Sequence, residues 1–99
     1  MMEIRIQSDG FDAKKHLLDF VNEGAEKLEK YYDKIQKVEV FLKLNPDPAN
    51  NKSVGIRVHV PGTELYASKS CDTFEEAVDE VFDALRRQVK KHKEKLDAK

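Results

Sequence analysis

Apolar and polar residues alternate at the start of the chain, with Met2, Ile4 and Ile6 interleaved by Glu3, Arg5 and Gln7. A period of two marks a strand with one buried face. Ser8-Asp9-Gly10 breaks the pattern, and Asp12 then stands where a helix N-cap would, with Phe11 before it as a hydrophobic staple. From there Leu17, Phe20, Val21, Leu28, Tyr31, Tyr32 and Ile35 recur at steps of three and four. Gly24 and Ala25 fill the intervening turn with small side chains that allow close packing. The spacing predicts a helix over about 12–32.

Val38, Val40, Leu42 and Leu44 alternate with Glu39, Phe41 and Lys43 in a second strand. Residues 45–52 carry two prolines and three asparagines, so they read as a long, mobile loop without an apolar anchor. Val54, Ile56, Val58 and Val60 make a third strand, Pro61-Gly62 a turn, and Thr63–Ser70 a fourth strand with Leu65 and Ala67 inward. Thr73 and Glu76 fit a capping box, with Asp72 and Glu75 as a shifted version. Phe74, Ala77, Val78, Val81, Phe82, Leu85, Val89, His92 and Leu96 then trace one helical stripe. The order is β-α-β-β-β-α. Both helices must bury their stripes on one sheet face, which predicts an α+β, two-layer sandwich with a four-stranded, mainly antiparallel sheet.

At 99 residues the chain suits one domain, 1–99, with a single modest core. Hydrophobic residues make up 39% and charged residues 37%, and no run approaches the ~18 apolar residues of a membrane span. One cysteine excludes an internal disulfide, and no Cys or His cluster has zinc spacing, so no metal and no cofactor is expected. The N-terminus lacks the apolar stretch of a signal peptide, which makes a soluble cytoplasmic domain the expectation.

The net charge of −1 hides a segregation. Residues 1–71 hold eleven bases and eleven acids; residues 72–85 hold six acids and no base; residues 86–99 hold seven bases and two acids. The three segments carry zero, −6 and +5, which together give −1.

Catalysis needs converging groups, and none converge in the sequence. His16, His59 and His92 fall on three different elements, and four scattered glycines make no phosphate loop. Cys71 precedes a helix N-terminus, but Asp72, Glu75 and Glu76 beside it disfavour a thiolate. The chain reads as a binding protein without a small-molecule substrate.

The bipolar second helix is more informative. Acids at its start and bases at its end complement the macrodipole, at ~0.3–1 kcal/mol each. That effect is confined to terminal turns, whereas Arg86 to Lys95 cover nearly three turns. Arg87, Lys91 and Lys95 are spaced by four beside Arg86, Lys90 and Lys93, so like charges stack. A polyanion relieves that repulsion, and RNA phosphate is the leading candidate. His92 follows the core stripe and reads first as a half-buried histidine. Phe41 and Tyr66 share the polar sheet side with Arg57 and His59, an arrangement that stacks nucleotides on some RNA-binding sheets.

Residues 27–35 (KLEKYYDKI) and 37–43 (KVEVFLK) resemble the end of the first helix and the second strand of the ribosome hibernation-promoting factor family. That family includes ribosome-associated inhibitors and sigma-54 modulation proteins. Ala67-Ser68, residues 74–79 (FEEAVD) and residues 85–96 (LRRQVKKHKEKL) resemble its fourth strand and second helix. The resemblance spans the chain and implies the same β-α-β-β-β-α fold. It implies binding to the small ribosomal subunit, its RNA and its proteins, in the channel used by messenger and transfer RNA. The contacts it implies are Lys27, Lys30 and Lys34 from the first helix region and Arg87, Lys90, Lys91, His92, Lys93 and Lys95 from the second. The chain resembles short members that lack the extra C-terminal domain. The acidic start of the second helix and the 45–53 loop depart from the family pattern.

Two other readings compete. A protein-interaction module, such as a transcription-factor modulator, would set the basic helix end on an acidic partner. A double-stranded-RNA domain would place its basic contacts at the start of the last helix, where Asp72, Glu75 and Glu76 stand instead.

Overall fold

A computed structural model describes residues 2–97. It contains β1 (Glu3–Asp9), α1 (Lys15–Tyr31), β2 (Lys37–Leu44), β3 (Lys52–Val60), β4 (Thr63–Cys71) and α2 (Phe74–Asp97). The strands lie in the order β1-β2-β3-β4. β1 and β2 are parallel, joined through α1 as a parallel pair requires, and the other pairings are antiparallel. The order of elements and the mainly antiparallel sheet are as the periodicity predicts.

The register explains why alternation was so clear. Ile4, Val38, Val58 and Leu65 form one row across the sheet, and Ile6, Val40, Ile56 and Ala67 form the next. In both rows the central residues are fully buried, whereas the edge residues from β1 and β4 are half-buried. Onto this face α1 sets Leu17, Val21, Ala25 and Leu28. α2 adds Ala77, Val78, Val81, Phe82, Leu85 and Val89. Each fully buried Val, Leu or Ile contributes about 1.5–3 kcal/mol, so this layer outweighs the exposed ion pairs at ~0–1 kcal/mol each. Leu96, the last position of the predicted stripe, falls outside the described side chains, and Lys99 outside the described residues.

Local signals fixed one helix start and misplaced the other. The Thr73 cap forms, with the Glu76 N–H donating to Thr73 Oγ1 at 3.1 Å. Asp12, by contrast, is not the N-cap of α1. The cap position is Lys14, in extended conformation and without a side-chain cap bond, so the helix starts three residues later than predicted. Phe11 staples α2 rather than its own helix, stacking on Phe74 at 4.6 Å between centroids and 15° between planes. That aromatic contact draws Phe11 to the second helix, leaves residues 12–14 outside α1 and overrides the local capping signal. The 45–51 loop is better tied than its composition suggests. The Asn45 N–H donates to Asn51 O at 2.8 Å, and the Asn50 N–H to Asp72 Oδ1 at 2.8 Å.

The helices pack tightly at Gly24, where an added Cβ would sit 2.6 Å from the Phe82 ring. Ala is a better helix former than Gly by up to ~1 kcal/mol, yet overpacking a core costs ~1–3 kcal/mol. Packing therefore decides the sign. Gly24→Ala is expected to lower Tm by about 4–8 °C, the shift that ~1 kcal/mol produces at this size. An unchanged or higher Tm in thermal unfolding would show that the Phe82 ring moves freely.

Candidate nucleic-acid interface

With Leu85 and Val89 buried, the helical period turns Arg86, Arg87, Lys90, Lys91 and Lys95 to solvent. Repulsion is relieved at the first two. Asp83 accepts from Arg86 Nη2 at 3.1 Å and from Arg87 Nη1 at 2.7 Å. Among the described residues no carboxylate pairs with Lys90, Lys91 or Lys95, so the uncompensated positive charge begins one turn later than the sequence suggests.

Lys93 departs from the expectation that it joins this surface. It is half-buried, and its Nζ donates to Tyr31 O at 3.1 Å while lying 4.6 Å from the Tyr31 ring centroid. A cation thus closes a free carbonyl at the negative end of α1. His92 is also turned inward. Its ring meets Tyr32 edge-on at 6.0 Å, and its Nε2 is buried without a hydrogen-bond partner among the described residues, turned away from solvent and any phosphate there. Both residues belong to the joint between the helices.

That joint assembles the rest of the surface. It holds the end of α1, with exposed Lys30 and the following Lys34, against the turn of α2 that carries Lys90 and Lys91. Lys27 is exposed but lines the groove between α1 and α2 with Arg86, Glu23, Asp79 and Asp83. This mixed groove of about 290 Å³ is a weaker phosphate site than the lysines beyond it. The predicted set therefore divides into Lys30, Lys34, Lys90, Lys91 and Lys95 in the open, Arg87 and Lys27 beside carboxylates, and His92 and Lys93 committed to packing. No sequence signal marks the Lys93 contact, because its partner lies 62 positions away.

The opposite sheet face carries Phe41, Arg57, His59 and Tyr66, as the alternation predicts. His59 Nε2 and Glu39 Oε1 are 2.7 Å apart. This hydrogen bond lowers the Glu39 pKa below the usual carboxylate value, with Lys37 and Arg57 adding to the shift and partial burial opposing it.

Cys71 is buried, and its thiol donates to Glu80 Oε2 at 3.2 Å. Burial, the Glu80 contact and Glu76 push its pKa up to about 11. Of the three acids that the sequence sets beside Cys71, Glu76 acts on the thiol, while Asp72 and Glu75 do not and Glu80 does. Asp72 is engaged with the Asn50 N–H and Glu75 with His16 at 3.2 Å. The ligand atoms of Cys71, Glu76 and Glu80 lie within 4.8 Å of one another. A protonated thiol is a poor metal ligand, and Lys69 already reaches Glu80 at 3.7 Å. The arrangement suits a capped structural thiol.

A family model described as "Sigma 54 modulation protein / S30EA ribosomal protein" matches residues 4–97. The chain belongs to that family. It is 34% identical over 95 residues to the ribosome hibernation promoting factor of Escherichia coli K12, covering 96% of this chain and 97% of the relative. Identity to the ribosome hibernation promoting factor of Pseudomonas putida is 32% over 94 residues, covering 95% and 89%. The fold is also that of a ribosomal subunit interface protein from Coxiella burnetii, with a TM-score of 0.84, 23% identity and coverage of 93% and 98%. The N-terminal domain of Thermus thermophilus Protein Y superposes with a TM-score of 0.79 at 23% identity, covering 92% and 99%. No helix among the described residues is long and apolar enough to cross a membrane.

Two expectations follow from this geometry. At pH 8 a thiol of pKa about 11 carries about a hundredfold less thiolate than one at the ordinary 9.0. Iodoacetamide should therefore label Cys71 at least that much more slowly in the folded chain than in the chain unfolded by urea. Equal rates would place the thiol in open solvent. Lys93→Gln should lower Tm by about 5 °C, because one hydrogen bond at the α1 terminus contributes about 1 kcal/mol. A Tm like the parent's would return Lys93 to the solvated surface.

Proposed function

We propose that this chain is a ribosome hibernation factor that occupies the mRNA–tRNA channel of the small ribosomal subunit and silences idle ribosomes. Residues 1–99 act as one ribosome-binding domain. The observation that carries the reading is the exposed cluster of Lys90, Lys91 and Lys95, without ion pairs among the described residues, on the helix joined to the α1 end that carries Lys30 and Lys34, in a member of this family. Its relatives of matching length are named ribosome hibernation promoting factors.

The mechanism is occlusion. Lysines flank a rigid helix joint, so phosphate contacts form without ordering a loop, and RNA-bound counterions are released into bulk water. The domain then fills space that RNA ligands need. No bond is made or broken, and no cofactor is required. The acids of early α2 face Cys71, His16, Asn50 and the paired arginines, so they do not oppose the lysines at the other end.

The test replaces Arg87, Lys90, Lys91 and Lys95 together by Gln, which preserves helix propensity and leaves the Lys93 joint intact. Circular dichroism should be unchanged, binding to purified small subunits strongly weakened, and inhibition of translation in vitro lost. With ~0.7 counterions released per contact, loss of the three open lysines flattens the log–log salt dependence by about 2, the paired Arg87 adding little. A variant that binds and inhibits like the parent refutes the reading. Failure of the parent to co-sediment with purified subunits would favour an acidic protein partner instead.

A further inference from the structure

The uncovered sheet face has two halves of different character. Around Glu39 the charges satisfy one another, with Arg57 reaching Glu39 at 3.8 Å and Glu64 at 3.6 Å beside the His59 contact. Toward the β2–β3 loop the carboxylates stop. An open trough of about 610 Å³ lies there, crossing Gly55 between Phe41 and Tyr66, with Lys43 and the Ser68 hydroxyl on its face, while Lys69 at its rim is in register with buried Val54 and turns to the helix side. No carboxylate lines it. Lys69 also reaches Glu80 at 3.7 Å, and Asp9 of β1 is in register with Lys43.

Tyr66 is the unusual residue. It is 50% exposed, and the only other exposed large hydrophobic among the described residues is Leu44 at 37%. Gly55 explains its pose, because a Cβ there would come 2.5 Å from the Tyr66 hydroxyl oxygen. The glycine lets the phenol lie down across β3 instead of standing off the sheet. The Arg57 guanidinium lies 5.9 Å from the Phe41 centroid and 5.8 Å from the Tyr66 centroid. A ring laid down on a sheet, next to a second ring and a guanidinium, suits a planar π partner. Lys43 and the serine hydroxyls, with no carboxylate in the lining itself, suit a partner that carries a phosphate. Single-stranded RNA combines both chemistries.

We propose that this trough binds single-stranded RNA, with one base stacked on Tyr66 and the adjoining phosphate at Lys43. An acidic peptide would satisfy Lys43 but give the exposed ring no role. The site lies on the sheet face opposite the helices, in a molecule whose two shorter dimensions are 24 and 18 Å. One domain would then touch RNA on both sides, as a plug in an RNA-lined channel does.

The chain has no tryptophan, so Tyr66→Trp places a single reporter at the site. A short single-stranded RNA of mixed sequence should quench its emission saturably, and polyphosphate or poly-glutamate should not. In the unaltered sequence, labelled-RNA anisotropy should give binding about tenfold weaker for Tyr66→Ala, on the scale of one lost stacked base. Tyr66→Phe should bind like the parent, and melting curves of both check that the fold survives. The four-site Gln variant of α2, carrying Tyr66→Trp, should keep the quenching while losing small-subunit binding, which separates this site from the helix surface. Absent quenching, equal quenching by polyphosphate or poly-glutamate, an unaffected Tyr66→Ala, or loss of quenching in the α2 variant each overturns the proposal.

Discussion

Helix α2 is too long for the sheet beneath it, and much else follows from that. Its 24 residues span about 36 Å, whereas the nine residues of β3 span about 30 Å. Among the described side chains of α2, Val89 is the last that is fully buried. Beyond that point the sequence turns mostly to charged residues. The overhang needs an anchor, and the end of α1 provides it through Tyr31, Tyr32, His92 and Lys93. The basic surface is thus a projecting rod, stiffened at its base and open along its last turns.

Most of the fold was legible because only one sheet face is covered. A half-buried strand must alternate, and β2 and β3 do so with almost no exceptions. Edge strands gave weaker signals for the same physical reason: Leu65 and Ala67 are only half-buried, so β4 carries fewer large apolar residues. The start of α1 was misread because Asp12 is a sound local cap, while the competing contact, Phe11 on Phe74, joins residues far apart in sequence. Local rules see only the first of these.

The site was less legible than the fold. Sequence spacing separates core from exterior on a helix but cannot tell a free lysine from one that closes a distant helix end. Lys90 and Lys93 look alike in the sequence, yet one is in solvent and the other rests on Tyr31. Family resemblance carried His92 and Lys93 into the predicted set alongside the open lysines. The structure shows both in packing contacts at the helix joint.

The acidic run of α2, which made the chain nearly neutral, also changes meaning. Asp72 holds the β2–β3 loop through the Asn50 N–H, Glu75 meets His16, Glu80 takes the Cys71 thiol and Lys69, and Asp83 takes two arginines. These carboxylates are engaged inside the domain's own framework, at short range. The lysines at the other end have no such partners among the described residues. Within a Debye length of ~8 Å at physiological salt, a phosphate near Lys95 is influenced mainly by its nearest lysines and little by acids several turns away. Net charge is therefore the wrong measure for this protein. What decides polyanion binding is which charges are already satisfied, and along α2 that line falls just after Arg87.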